Sequence, residues 1–214
     1  MQINSRRIDL LPPYIFHEVN AHKMALRRKG SDIIDLGMGN PDQPTPPHII
    51  DKLTEVARDP KAHGYSPSEG LPALRRAICR HYKRRFDVDL DPETEAIVTI
   101  GSKEGIAHIC LALMDPGDLA IVPNPAYPLH IYGVAIANGN VLSLPLRPEK
   151  EFVPDLQMIS RELWPKPKMM IFNFPHNPTT ATVDISFFEE IVDFARRQNI
   201  IVIHDMAYSD IAFD

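Results

Sequence analysis

The sequence predicts an α/β fold: a three-layer, mostly parallel sheet with helices on both faces, preceded by an N-terminal arm. Two observations carry that expectation. Ile200 to Ile203 is an unbroken β-branched run, which suits a strand covered on both faces, as in a parallel sheet flanked by helices. From Ala96 onward, short apolar runs alternate with stretches of helical period, joined by short turns. Such alternation calls for helical crossovers and therefore for parallel pairing.

Taken in order, Leu11-Pro12-Pro13 ends the arm, and Tyr14 to Lys29 reads as a helix closed by Gly30. Its apolar residues Ile15, Val19 and Leu26 are sparse, so one narrow face should pack. Ile33 to Leu36 reads as a short strand leading into G-M-G-N-P-D, Gly37 to Asp42. Pro47 to Arg58 is expected as a helix with proline in its first turn. His63-Gly64-Tyr65-Ser66 falls in a loop between Pro60 and Pro67. Leu71 to Phe86 reads as a basic helix, with Leu74, Ile78 and Tyr82 on one face and Arg75, Arg76, Arg80, Arg84 and Arg85 in solvent.

Ala96 to Ile100 is expected as a strand, Gly101-Ser102 as a turn and Lys103 to Met114 as a helix. The strand Leu119 to Val122 ends in P-N-P-A-Y-P, Pro123 to Pro128, and a helix runs on to Ala137. Val141 to Leu144 and Met169 to Phe172 are further strands, the second entering N-F-P-H-N-P-T, Asn173 to Thr179. Ser186 is placed as the cap of the helix Phe187 to Gln198, which leads into the Ile200 strand and H-D-M-A-Y, His204 to Tyr208.

Composition narrows the function. A chain of 214 residues with 44% hydrophobic and 24% charged residues is of ordinary globular type. Its net charge of −5 argues against nucleic-acid binding through a basic field. No apolar run is long enough to span a bilayer, and Met1 to Asp9 lacks the apolar core of a signal peptide. Cys79 and Cys110 fit reduced, packed thiols of a cytoplasmic protein. The nine histidines show no tight ligand spacing, so no metal site is expected.

The informative residues gather at strand ends. Ligands of open α/β sheets bind beyond the carboxyl ends of strands, where Asp205 and Tyr208 fall. Gly101-Ser102-Lys103 is a strand–turn–helix corner whose free amides and positive dipole end suit one phosphate. Tyr127, held between prolines, offers a flat ring. Asn177 before Pro178 presents an amide. Each has an ordinary alternative: Asp205 caps a turn, Tyr208 and Tyr65 pack, Tyr127 starts a helix, Lys103 opens one. Together they form a receptor for a charged aromatic phosphate ester, and pyridoxal 5′-phosphate fits each part. Asp205 would keep the pyridine nitrogen protonated, Asn177 and Tyr208 would meet the phenolic oxygen, and Tyr127 would stack.

Through G-M-G-N-P-D, H-G-Y, G-S-K-E-G, P-N-P-A-Y-P, N-F-P-H-N-P-T and H-D-M-A-Y, in that order, the chain resembles the class I and II pyridoxal-phosphate aminotransferases of fold type I. R-I-D-L-L-P-P-Y-I-F with D-L-G-M-G-N-P-D is most similar to the glutamate–pyruvate (alanine) branch. The resemblance implies that Gly39 lies by the substrate carboxylate and that Asn177 serves cofactor and substrate. It implies that Tyr65 reaches the phosphate of a partner subunit, hence a homodimer with shared sites. It implies residues 1–45 as arm and start of the small domain, and 46–214 as the N-terminal portion of the large cofactor-binding domain. Thr180 replaces a glycine common in the family. The family's Schiff-base lysine and its arginines for phosphate and substrate carboxylate lie beyond D-x-A-Y, and the last lysine here is Lys168. The expectation is the N-terminal part of a transaminase, inactive by itself. The alternatives are a fold type I carbon–sulfur lyase and a cofactor-binding module without turnover.

Overall fold

In the computed structural model of the protein, which describes residues 3, 5–9, 11–37, 39, 42–159 and 165–212, helices follow the apolar periodicities and strands the apolar runs. The helices are α1 (Arg6–Asp9), α2 (Ile15–Arg28), α3 (Pro47–Ala57), α4 (Pro72–Phe86), α5 (Gly101–Leu113), α6 (Pro128–Ile136) and α7 (Ile185–Gln198). The strands are β1 (Leu119–Asn124), β2 (Asn140–Pro145), β3 (Pro167–Asn173) and β4 (Ile201–Asp205). Two compact units result. One joins Met1–Pro12 to Ile100–Asp214, and the other is Pro13–Thr99.

The first unit holds the sheet, in the order β2-β1-β3-β4 with every neighbouring pair parallel. Alternation along the strands builds a core on each face. Ile121, Met170 and Phe172 point to one side, where Phe187, Ile191 and Ala195 of α7 meet them at one-turn spacing. Ala120, Val122, Met169 and Ile171 point to the other, against Cys110 and Met114 at the α5 end and Val134 of α6. The three expected layers are therefore present. Ile121, Val122, Met169, Met170 and Ile171 are fully buried, and each such side chain contributes about 1.5–3 kcal/mol. Burial in the second core pushes the Cys110 thiol up to about 11, and Cys79 is also free and buried. The N-terminal arm is fastened to α6, where Arg7 donates to the Ile136 carbonyl (3.1 Å) and Tyr132 to that of Pro12 (3.0 Å).

The second unit corrects several expectations. Ile33–Leu36 forms no strand, and Ile34 and Leu36 are exposed. Residues 96–100 form no strand. A strand needs a neighbouring ladder, and here the Val98 amide donates to Glu69 O (3.0 Å) without one forming. Gly70 permits that bond: at φ 91 its missing Cβ would lie 2.3 Å from Val98 Cβ. In α2, Ile15 and Val19 are exposed, so the narrow packing face does not form within the unit. Arg75, expected in solvent, is buried on α4, donating to the Pro92 carbonyl and to Glu93 at 3.1 Å. Its position on the helix faces the acidic turn 91–95 rather than water. In the first unit, Ser186 is not a cap, because α7 begins at Ile185 with Asp184 in the cap position.

Candidate functional site

Parallel pairing brings the carboxyl ends of β1, β3 and β4 to one edge of the sheet, and the loops 124–128, 173–179 and 205–208 all leave from it. Asn173 and Asp205 end their strands in register. Asn173 fastens the site from below: its Nδ2 donates to the Asp205 carbonyl (2.7 Å) and its Oδ1 accepts from the Asn177 amide (2.8 Å). It is 3% exposed.

Asp205 is itself buried, and a carboxylate there needs polar partners. His130 supplies one, with Nε2 3.1 Å from Asp205 Oδ2, and the Ala207 amide donates to Oδ1 at 3.3 Å. Asn177 Nδ2 donates to the Tyr208 hydroxyl at 3.0 Å. Tyr127 stands at the cap position of α6, with Pro128 opening the helix. Its ring lies edge-on to His130, centroids 5.6 Å apart, and Lys103 Nζ lies 5.7 Å from its centroid. That cation–π contact joins the start of α5 to the β1 loop. Ser102 and Lys103 are exposed in the first turn of α5, where amides have no intrahelical acceptor. Glu104 Oε2 accepts from the Ile100 amide at the same helix start.

The structure thus joins Asp205, Asn177, Tyr208, Tyr127 and Lys103 through a continuous set of contacts, with Ser102 beside Lys103. Tyr65 and Gly39 belong to the second unit. Tyr65 is fully exposed, and Gly39 has open space where a side chain would start. Met38, Asn40 and Pro41 of the glycine turn lie outside the described residues. Thr180 takes φ 63, a conformation that favours glycine, which accounts for the glycine usual at this point of the resembling sequences.

Sequence reasoning missed Asn173, His130, His176 and His204. His130 follows Tyr127 by three residues on a helix, and that spacing was the one signal for it. His204 donates toward the Phe174 carbonyl (Nε2···O 3.1 Å) and packs on Phe188 at 4.8 Å. Burial pushes His204 below its ordinary value, opposed by the Phe174 carbonyl and Asp205. Burial likewise lowers His176, and the neighbouring His130 adds to the effect against the pull of the Pro125 carbonyl.

Residues 31–214 match the family model described as Aminotransferase class I and II. The glutamate-pyruvate aminotransferase AlaC of Escherichia coli is 57% identical over 208 residues, covering 97% of this chain and 50% of the relative. An LL-diaminopimelate aminotransferase of Moorella thermoacetica is 48% identical over 210 residues, covering 98% and 54%. The solved alanine aminotransferase from Pyrococcus furiosus superposes with a TM-score of 0.90 at 31% identity, over 99% of this chain and 54% of that one. The chain spans about half the length of the curated relatives it matches.

Proposed function

Because the chain belongs to the class I and II aminotransferase family, whose members depend on pyridoxal 5′-phosphate, we propose that the complete gene product catalyses reversible amino transfer between an L-amino acid and a 2-oxo acid, with alanine and glutamate as amino donors. The observation that carries this reading is a buried carboxylate, Asp205, held by His130 beside the Asn177–Tyr208 pair. The donor set fits the cofactor. A carboxylate suits a protonated ring nitrogen, an amide and a phenol suit a phenolic oxygen, and the α5 start suits a phosphate.

When bound, the cofactor supplies an electron-accepting ring. Asp205 keeps a proton on the ring nitrogen, and His130 orients Asp205. Asn177 and Tyr208 would hold the phenolic oxygen, and Tyr127 would stack on the ring. The Ser102 and Lys103 amides take the phosphate. The resemblance assigns Gly39, like Asn177, to the substrate carboxylate. Tyr65 reaches the phosphate of a second subunit in a homodimer. Its full exposure supports that role, as does the exposed apolar stripe Ile49, Ile50, Leu53 and Val56 on α3. Within these 214 residues the last lysine is Lys168, ahead of the Asn177 loop and Asp205. We assign the catalytic amine to none of them and expect these residues by themselves to give no turnover.

The test uses the complete gene product with pyridoxal phosphate, L-alanine and 2-oxoglutarate, assayed for pyruvate. Asp205→Ala is expected to lose turnover far more than cofactor binding, and near-normal turnover in that variant refutes the assignment. The Moorella relative's name favours one second reading, in which LL-diaminopimelate replaces alanine as donor. Running both donors side by side decides between them.

A further inference from the structure

The β3–β4 ladder ends at the pair Asn173–Asp205. Past it the two segments part, one leading to Asn177 and the other to Tyr208. A side chain from each strand crosses the split. Asn173 donates to the Asp205 carbonyl at 2.7 Å. His204, paired with Phe172 one step below, reaches past the ladder to the Phe174 carbonyl, with Nε2···O 3.1 Å. A carbonyl only accepts, so Nε2 carries a proton and donates it there. Alternation puts His204 and Asp205 on opposite faces of the sheet. Asp205 meets His130 of α6, whereas the His204 ring lies over Phe188 of α7, centroids 4.8 Å apart.

The face on which His204 lies is the α7 core, where Phe172, Phe174 and Phe187 are buried and Phe188 packs against them. An apolar side chain would sit there without desolvation cost, whereas an imidazole must keep a polar partner. What the imidazole adds is the bond to Phe174, the residue from which the Asn177 loop leaves β3. Burial holds the ring below its ordinary value, so the neutral form with its proton on Nε2 makes that bond at neutral pH. We infer that His204 is a positioning residue for Asp205: by holding the end of β4 to the Phe174 carbonyl, it fixes the separation between the Asp205 carboxylate and the Asn177–Tyr208 pair. The inference rests on the functional reading above. A rigid aromatic ring sets the distance between its nitrogen and its phenolic oxygen, so the groups that meet those two atoms tolerate little error in their spacing. Asn173 fixes the same spacing from the other face, through Asp205 and Asn177.

Two substitutions and two ligands test this. His204→Leu keeps the packing on Phe188 but has no donor, and His204→Gln puts an amide N–H near the Nε2 position. Apoprotein of the complete gene product is titrated with pyridoxal 5′-phosphate and with its 1-deaza analogue, in which a C–H replaces the ring nitrogen and Asp205 has nothing to hold. Loss of the one hydrogen bond is expected to raise the pyridoxal 5′-phosphate Kd about tenfold in His204→Leu, with His204→Gln within about twofold of the wild type. The Kd of the deaza analogue should stay within about twofold in both variants, because the ring can then settle on Asn177 and Tyr208 alone. Wild-type affinity for pyridoxal 5′-phosphate in His204→Leu overturns the inference. Equal losses for the two ligands overturn it too, since they mark a general loosening of the fold, as does a glutamine variant as impaired as the leucine one. If His204→Leu does not fold, His204→Asn, polar but too short to reach Phe174, takes its place under the same criteria. A wild-type protein that binds neither ligand overturns the functional reading, and this inference falls with it.

Discussion

Replacing Asn173 by alanine removes both fastenings of the site at once. The Asp205 carbonyl loses its 2.7 Å donor and the Asn177 amide its 2.8 Å acceptor, in a place where Asn173 is 3% exposed. Leaving a buried polar group unpaired costs about 1–3 kcal/mol, so two give roughly 2–6 kcal/mol. Water entering the vacated volume recovers part, which places Asn173→Ala at about 2–4 kcal/mol. Asn173→Leu fills that volume without offering a partner, so it is expected at the upper end of the range. Either is a large share of a net stability of roughly 5–15 kcal/mol. Urea unfolding of the chain followed by far-UV circular dichroism measures both variants. A loss below about 1 kcal/mol for Asn173→Ala, or a leucine variant as stable as the wild type, refutes the reasoning.

At the start of α5, Ser102→Ala should weaken cofactor binding moderately, while Ser102→Pro, tolerated in a first turn but lacking the amide, should be far worse. Equal losses would assign the contact to the hydroxyl. Mixing a full-length Tyr65→Phe subunit with one disabled at Asp205 should restore one intact site per hybrid dimer, and no recovery with hybrids present counts against the shared site. His176 and His204 are both held below the ordinary imidazole value of 6.5. The unfolded chain therefore takes up protons first, and stability should fall as pH drops below that value. The urea midpoint at each pH tests this, and His176→Gln combined with His204→Gln should flatten the slope.

Much of the sheet was legible because its signals are local. The one-turn spacing of Phe187, Ile191 and Ala195 describes a helix that buries its own apolar residues, and α7 formed nearly as expected. The Ile200–Ile203 run formed β4, but without the expected cover on both faces: Ile201 is exposed, and Val202 and Ile203 are half-buried. Ile33–Leu36 and Ala96–Ile100 carry the same apolar signal and formed no strand. A strand depends on the backbone beside it, which lies outside its own sequence. Arg75 failed for a related reason. The other arginines of its helix are solvated, but the turn it enters is distant in sequence, at Pro92 and Glu93.

The candidate site divides along the same line. Residue types and their order were enough to single out Ser102, Lys103, Tyr127, Asn177, Asp205 and Tyr208, because punctuation by glycine and proline at strand ends is written in the chain itself. Which groups support them was decided only in three dimensions. His130 meets Asp205 across 75 residues and Asn173 meets it across 32, and no local pattern announces either contact. Burial sets the protonation of His176 and His204, and burial is a property of the packed sheet. Short-range sterics and periodicity determine where elements and turns fall. The partners of a buried polar group are determined by which strand ends the parallel sheet brings side by side.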